Sequence, residues 1–167
     1  MKKLLAAIAA TVLSLSSAFA QSVPSPTINA KSWLLLDATS NQVLASNEPD
    51  MRIEPASLTK LMTAYVAFTA IQDKKLDLNQ MITISTNAWK VDPSSSKIFI
   101  EPRVPVKVND LLYGLIVQSG NDAAVAIAEA VAGTEDAFVA LMNREAERMG
   151  MKSTHFANPH GLPSASN

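Results

Sequence analysis

The chain has 167 residues, with 14 Lys plus Arg against 15 Asp plus Glu and no cysteine. A formal charge of -1 excludes a nucleic-acid surface built on basic excess. The missing cysteines exclude a disulfide frame and any thiol or thiolate-metal chemistry, so one domain of this length must be held by its core alone.

Lys2 and Lys3 give a basic start, Leu4 to Leu15 an apolar stretch, and Ala18-Phe19-Ala20 a small-x-small cleavage site. Residues 1–20 therefore read as a secretory signal peptide cut before Gln21, and the mature part, 21–167, as exported. The apolar stretch is too short to span a bilayer comfortably, and no later segment reads as a membrane span.

Gln21 to Ala30 is a polar lead-in, and Lys31 to Asp37 reads as a strand. Thr39-Ser40-Asn41-Gln42 carries turn chemistry, and Val43-Leu44-Ala45 starts the return of a hairpin. An isolated hairpin is marginal in water and needs more strands or a helix against it.

A charged connector from Asn47 to Glu54 leads to Pro55-Ala56-Ser57-Leu58-Thr59-Lys60. Pro55 suits a helix start, and the run to about Ile71 or Gln72 is apolar on almost every side, which predicts a buried helix. Met81 to Ile84 reads as a short strand, and Trp89 to Ser96 as irregular. Lys97 to Glu101 and Val104 to Val108 read as extended, with Pro102 and Pro105 confining them to edges.

Asn109 or Asp110 is the expected cap of a helix from Leu111 to Val117, which Ser119-Gly120-Asn121 breaks. A second helix is predicted from Asp122 to Ala132, ended by Gly133, and a third capped by Thr134 and ended near Gly150. Ser153 to Asn167 is loop-like, and no repeat or interdomain linker is visible.

Ser-x-x-Lys occurs at Ser57 to Lys60 and at Ser94 to Lys97, and Ser-x-Asn at Ser85 to Asn87 and at Ser119 to Asn121. Context chooses between the copies. On a helix Ser57 and Lys60 share one face, and an apolar setting lowers a lysine pKa so that it can take a proton from a serine. The Ser94 copy lies in a polar loop after Pro93, and the Ser85 copy looks structural. Ser119-Gly120-Asn121 breaks two apolar helices, where side chains can point into a cleft. The bland alternative is an N-cap at Ser57, a snorkelling Lys60 and plain turn residues at Ser119 and Asn121; order, spacing and setting favour chemistry. His155 and His160 lie in a loop with no Cys or helical partner and read as structural. Nothing signals a metal or cofactor.

These segments resemble the penicillin-recognising serine enzymes, whose motifs are Ser-x-x-Lys, Ser-Asp-Asn and Lys-Thr-Gly, and among them the D-alanyl-D-alanine carboxypeptidases. Pro55 to Thr63 resembles the nucleophile segment and Gln118 to Ala123 the second motif, with Gly120 where lactamases usually carry Asp. Thr154 to Leu162 also looks familial. The resemblance implies an α+β, β-lactamase/transpeptidase-like fold, here its N-terminal portion: a helical cluster plus one hairpin of an antiparallel sheet. No Lys-Thr-Gly occurs in the sequence, so the expectation is a C-terminally truncated chain, nearly inert alone. For the parent enzyme the resemblance implies Ser57 as nucleophile, Lys60 as its base, Ser119 as proton relay and Asn121 as substrate-amide holder. The implied substrate is a peptidoglycan stem peptide ending in D-Ala-D-Ala, with β-lactams acylating the same serine. The setting is the periplasm, with peripheral inner-membrane association through a segment not in this sequence. A class A β-lactamase is the nearest rival, but it needs a deacylating Glu, and the loop from Met151 to Asn167 has none. A non-catalytic exported scaffold is the other rival.

Overall fold

A computed structural model describes residues 24–164; the expected signal peptide lies outside the described residues. The chain divides into two compact units at Arg52/Ile53, inside the charged connector, a boundary that no change of composition announces.

The first unit carries the expected hairpin. Strands β1 (Trp33–Asp37) and β2 (Gln42–Asn47) pair antiparallel, with a register shift between Leu35 and Leu36. Asp37 Oδ1 accepts from the N–H groups of Thr39 and Ser40 at 2.8 and 3.3 Å, an Asx turn that closes the hairpin. Asn41 completes it in the left-handed region, which asparagine tolerates well.

The second unit is helical. A 3-10 turn, Ala56–Leu58, runs into α1 (Thr59–Gln72); then come β3 (Met81–Thr83), α2 (Thr86–Trp89), β4 (Pro105–Lys107), α3 (Val108–Val117), α4 (Asn121–Ala132) and α5 (Glu135–Arg148). Thus Ser57 precedes the regular helix rather than opening it. β3 and β4 form a second antiparallel ribbon, with Thr83 opposite Pro105, so only Pro105 to Lys107 of the extended Val104–Val108 stretch pairs. Lys97 to Glu101 forms no strand.

Helix α4 is the centre, packed against α1, α2, α3 and α5. Its Ala123, Ala124, Ala126 and Ala128 are all buried, and such small side chains let neighbouring helices approach closely. One side of the core gathers Leu111, Leu112, Leu115, Val125 and Ile127; the other joins Met62 and Val66 of α1 to Phe138, Met142 and Phe156.

Helix α1 is not buried all round: Leu61 is 71% exposed and Phe68 49%, while Thr59, Lys60 and Thr63 are buried. Its buried face thus mixes polar and small residues with the large Met62 and Val66, while Leu61 and Phe68 point outward. The cap of α3 is also misplaced by sequence: Lys107 precedes the helix and makes no side-chain cap bond. Backbone bonds from Val108 N–H to the Gln80 carbonyl and from Asn109 N–H to that of Leu78 satisfy these donors instead. The Thr134 cap is as expected, its side chain accepting from Ala137 N–H.

Candidate active site

Ser57 is exposed and Lys60 is buried behind it. Lys60 Nζ lies 3.3 Å from Ser57 Oγ, so the one-turn spacing brings both groups to one face. Burial pulls the Lys60 pKa down from its ordinary 10.5, because desolvation penalises the ammonium form. The amine also donates to the His160 carbonyl at 2.9 Å.

Ser119 enters from the loop between α3 and α4. Its hydroxyl donates to Ser57 Oγ at 3.0 Å, so Ser57 Oγ is flanked by an amine and a second hydroxyl. Asn121 is the buried first residue of α4; its backbone N–H donates to the Ser96 carbonyl at 2.8 Å. Ser96 Oγ returns a bond to the Gln118 carbonyl, so the 96–100 segment braces the loop that carries Ser119 and Asn121.

The backbone is strained at two residues of this arrangement. Ala56 has φ +48° and Ser119 φ +58°, a region costly for residues with a Cβ and concentrated at functional sites. The other motif copies do not join this arrangement. Ser94 Oγ donates to Asp92 within its own turn. Ser85 accepts from Ala88 N–H as the cap of α2, a helix that sequence reading missed, and Asn87 donates to Glu129 at 3.0 Å.

Sequence reasoning also missed the loop Asn158–Leu162, whose carbonyls meet α1. Its only signal was a familial look. The His160 ring is held neutral, with its pKa pushed down to about 4 by burial and then by the Lys60 charge. His160 Nδ1 accepts from Leu162 N–H at 3.1 Å, so the neutral ring carries its proton on Nε2, which faces Glu135 Oε1 at 3.7 Å. Among the described residues no three His, Cys, Asp or Glu side chains converge as a metal site, and no helix is long and apolar enough to cross a membrane.

The model of the peptidase S11 family, D-alanyl-D-alanine carboxypeptidase, matches residues 18–167. The chain belongs to this family. As an S11 chain it is similar to D-alanyl-D-alanine carboxypeptidase DacC of Escherichia coli, 42% identical over 146 residues, covering 85% of this chain and 36% of that protein. Among solved structures it resembles penicillin binding protein 5 from Haemophilus influenzae, with TM-score 0.83, 43% identity and coverage of 86% of this chain and 42% of that one. Penicillin binding protein 6B from Escherichia coli follows at TM-score 0.80 and 42% identity, covering 87% and 47%. The transpeptidase-like α+β fold expected from sequence is thereby established, as an N-terminal part with small antiparallel ribbons. The S11 chain spans less than half the length of these relatives.

Proposed function

We propose that the complete protein is a serine-type D-alanyl-D-alanine carboxypeptidase that removes the terminal D-Ala from peptidoglycan pentapeptide stems. The observation that carries this reading is the meeting of three groups: Ser57 Oγ lies 3.3 Å from the Lys60 amine and 3.0 Å from the Ser119 hydroxyl. Neutral Lys60 takes the Ser57 proton as Oγ attacks the carbonyl between the two D-alanines. Ser119 relays a proton to the leaving amine, Asn121 holds the substrate amide, and water hydrolyses the acyl-enzyme. A β-lactam acylates the same serine and leaves slowly. Residues 1–20 act as the signal peptide, residues 21–167 form the N-terminal part of the catalytic domain, and the enzyme works in the periplasm. Support for the substrate class comes from family membership and from the names of the relatives, carboxypeptidases and penicillin binding proteins.

The test is Ser57→Ala in the full-length protein. Release of D-alanine from a D-Ala-D-Ala peptide and labelling by a fluorescent penicillin should both vanish, with the fold intact by circular dichroism. Surviving D-alanine release would remove the nucleophile assignment.

A further inference from the structure

The Lys60 amine has a second anchor, and it comes from a loop far away in sequence. The buried Asn158 uses both ends of its amide: Oδ1 accepts from the N–H groups of Gly161 at 2.6 Å and His160 at 3.3 Å, and Nδ2 donates to the Leu162 carbonyl at 2.8 Å. Two N–H groups face the oxygen and a carbonyl faces the nitrogen, so the partners leave no choice of amide orientation. Residues 158 to 162 are thus tied into an Asx-type turn.

This turn meets the nucleophile helix in three places. The His160 carbonyl takes an N–H of Lys60 at 2.9 Å, and the Pro159 carbonyl takes the hydroxyl of Thr63 at 2.6 Å, one helical turn further along. The third place is packing. Gly161 has φ +85°, and a Cβ there would stand 1.8 Å from the Ala56 carbonyl oxygen, so the turn lies directly beneath the residue before Ser57.

We propose that Asn158 is a positioning residue for Lys60, fixing the turn whose His160 carbonyl engages one N–H of the amine and leaves its lone pair to the Ser57 hydroxyl. This deepens the reading of Ser57 and Lys60 given above and rests on it. A neutral amine has two N–H donors and one lone pair, and rotation about Cε–Nζ sends the lone pair anywhere. A carbonyl 2.9 Å away restricts that rotation. When the Ser57 O–H bond breaks and a new N–H bond forms on Lys60, the hydrogen bond to His160 becomes charge-assisted and strengthens. The carbonyl therefore favours the protonated state that acylation creates, an interaction stronger at the transition state than before it.

The experiment follows acylation of the full-length protein by a fluorescent penicillin under single-turnover conditions, separating the acylation rate constant from half-saturation. Asn158→Ala should lower the rate constant by about ten- to a hundredfold, as expected for misplacement of a reacting group, with half-saturation unchanged. Asn158→Ser, whose hydroxyl can close the same turn more weakly, should recover part of the loss. The proposal is overturned if Asn158→Ala acylates within about twofold of the parent, if only half-saturation changes, or if the serine variant is no better than the alanine one. Should Asn158→Ala fail to fold, Asn158→Ser decides: an unchanged rate constant overturns the proposal, and a fall of about three- to tenfold sustains it. Ser57→Ala is run beside them. If that variant is still labelled, the reading of Ser57 fails, whatever Asn158 does.

Discussion

His160 meets Lys60 through its backbone carbonyl, while its ring is held neutral. The ring titrates near 6.5 in the unfolded chain and at about 4 in the fold, so between those values the unfolded state binds more protons. Stability from this group is therefore complete above pH 6.5 and is lost as pH falls towards 4. The full shift corresponds to about 3 kcal/mol, and partial solvent screening brings it nearer to about 2 kcal/mol. Glu135 pulls the other way, since burial raises its pKa and the fold retains a proton that the unfolded chain releases. Comparing the parent with His160→Gln separates the two effects. Urea unfolding at pH 7 and pH 4.5 should show the parent losing about 2 kcal/mol more than the variant over this interval. Equal losses would mean that the ring takes up its proton as readily in the fold as outside it.

At the scale of elements, the loops around the site are held by buried side chains rather than by strands. Asp122, 1% exposed in the first turn of α4, accepts from Ile98 N–H with both oxygens at 3.0 and 3.1 Å, from Ile100 N–H at 3.3 Å and from its neighbour Ala123 N–H at 2.9 Å. Two pinned amides on either side of Phe99 push that residue outward, 80% exposed and with φ +59°. Successive amides converging on an anion in this way form a nest. It explains why Lys97 to Glu101, which reads as extended, makes no strand: its donors are taken by a carboxylate. Asp122→Ala should cost about 3–5 kcal/mol, because it strands these N–H groups. Denaturant unfolding checks the loss, and hydrogen exchange should show Ile98 and Ile100 losing protection first. A cost below about 1 kcal/mol would mean that the segment is held by packing of Ile98 against Gly114 and Gly120 instead.

The same scale shows why some elements were legible and others not. Thr134 with Glu135 and Asp136 behind it, and Gly133 ahead of it at φ +80°, mark a helix boundary by local chemistry alone. Helix α2 has only four residues, too few to establish a period, and its cap Ser85 directly follows the strand predicted from Met81 to Ile84. Most positions of α1 are apolar, so periodicity gives its buried face no direction.

For the whole molecule, the chain carries the first two motif segments, and no Lys-Thr-Gly occurs in it; under the function proposed above, that third motif belongs to the complete protein and supplies one oxyanion donor. Loss of one such donor costs about a hundred- to a thousandfold in rate. The purified 167-residue chain should therefore be labelled by a fluorescent penicillin at least about a hundredfold more slowly than the full-length protein. Labelling at a comparable rate would show that the groups around Ser57 suffice by themselves.

What the sequence determined alone is local: the Ser57–Lys60 pair one helical turn apart, the helix boundaries at Gly133 and Thr134, and the motif residues that mark the family. Such features depend on neighbours a few positions away, whose geometry the helix period dictates. Only the tertiary structure decided that Ser119 reaches Ser57 across 62 positions and that the His160 carbonyl reaches Lys60 across 100. Those meetings depend on which faces α1, α3 and α4 bury against one another, a choice settled by core packing and not by any short stretch of residues.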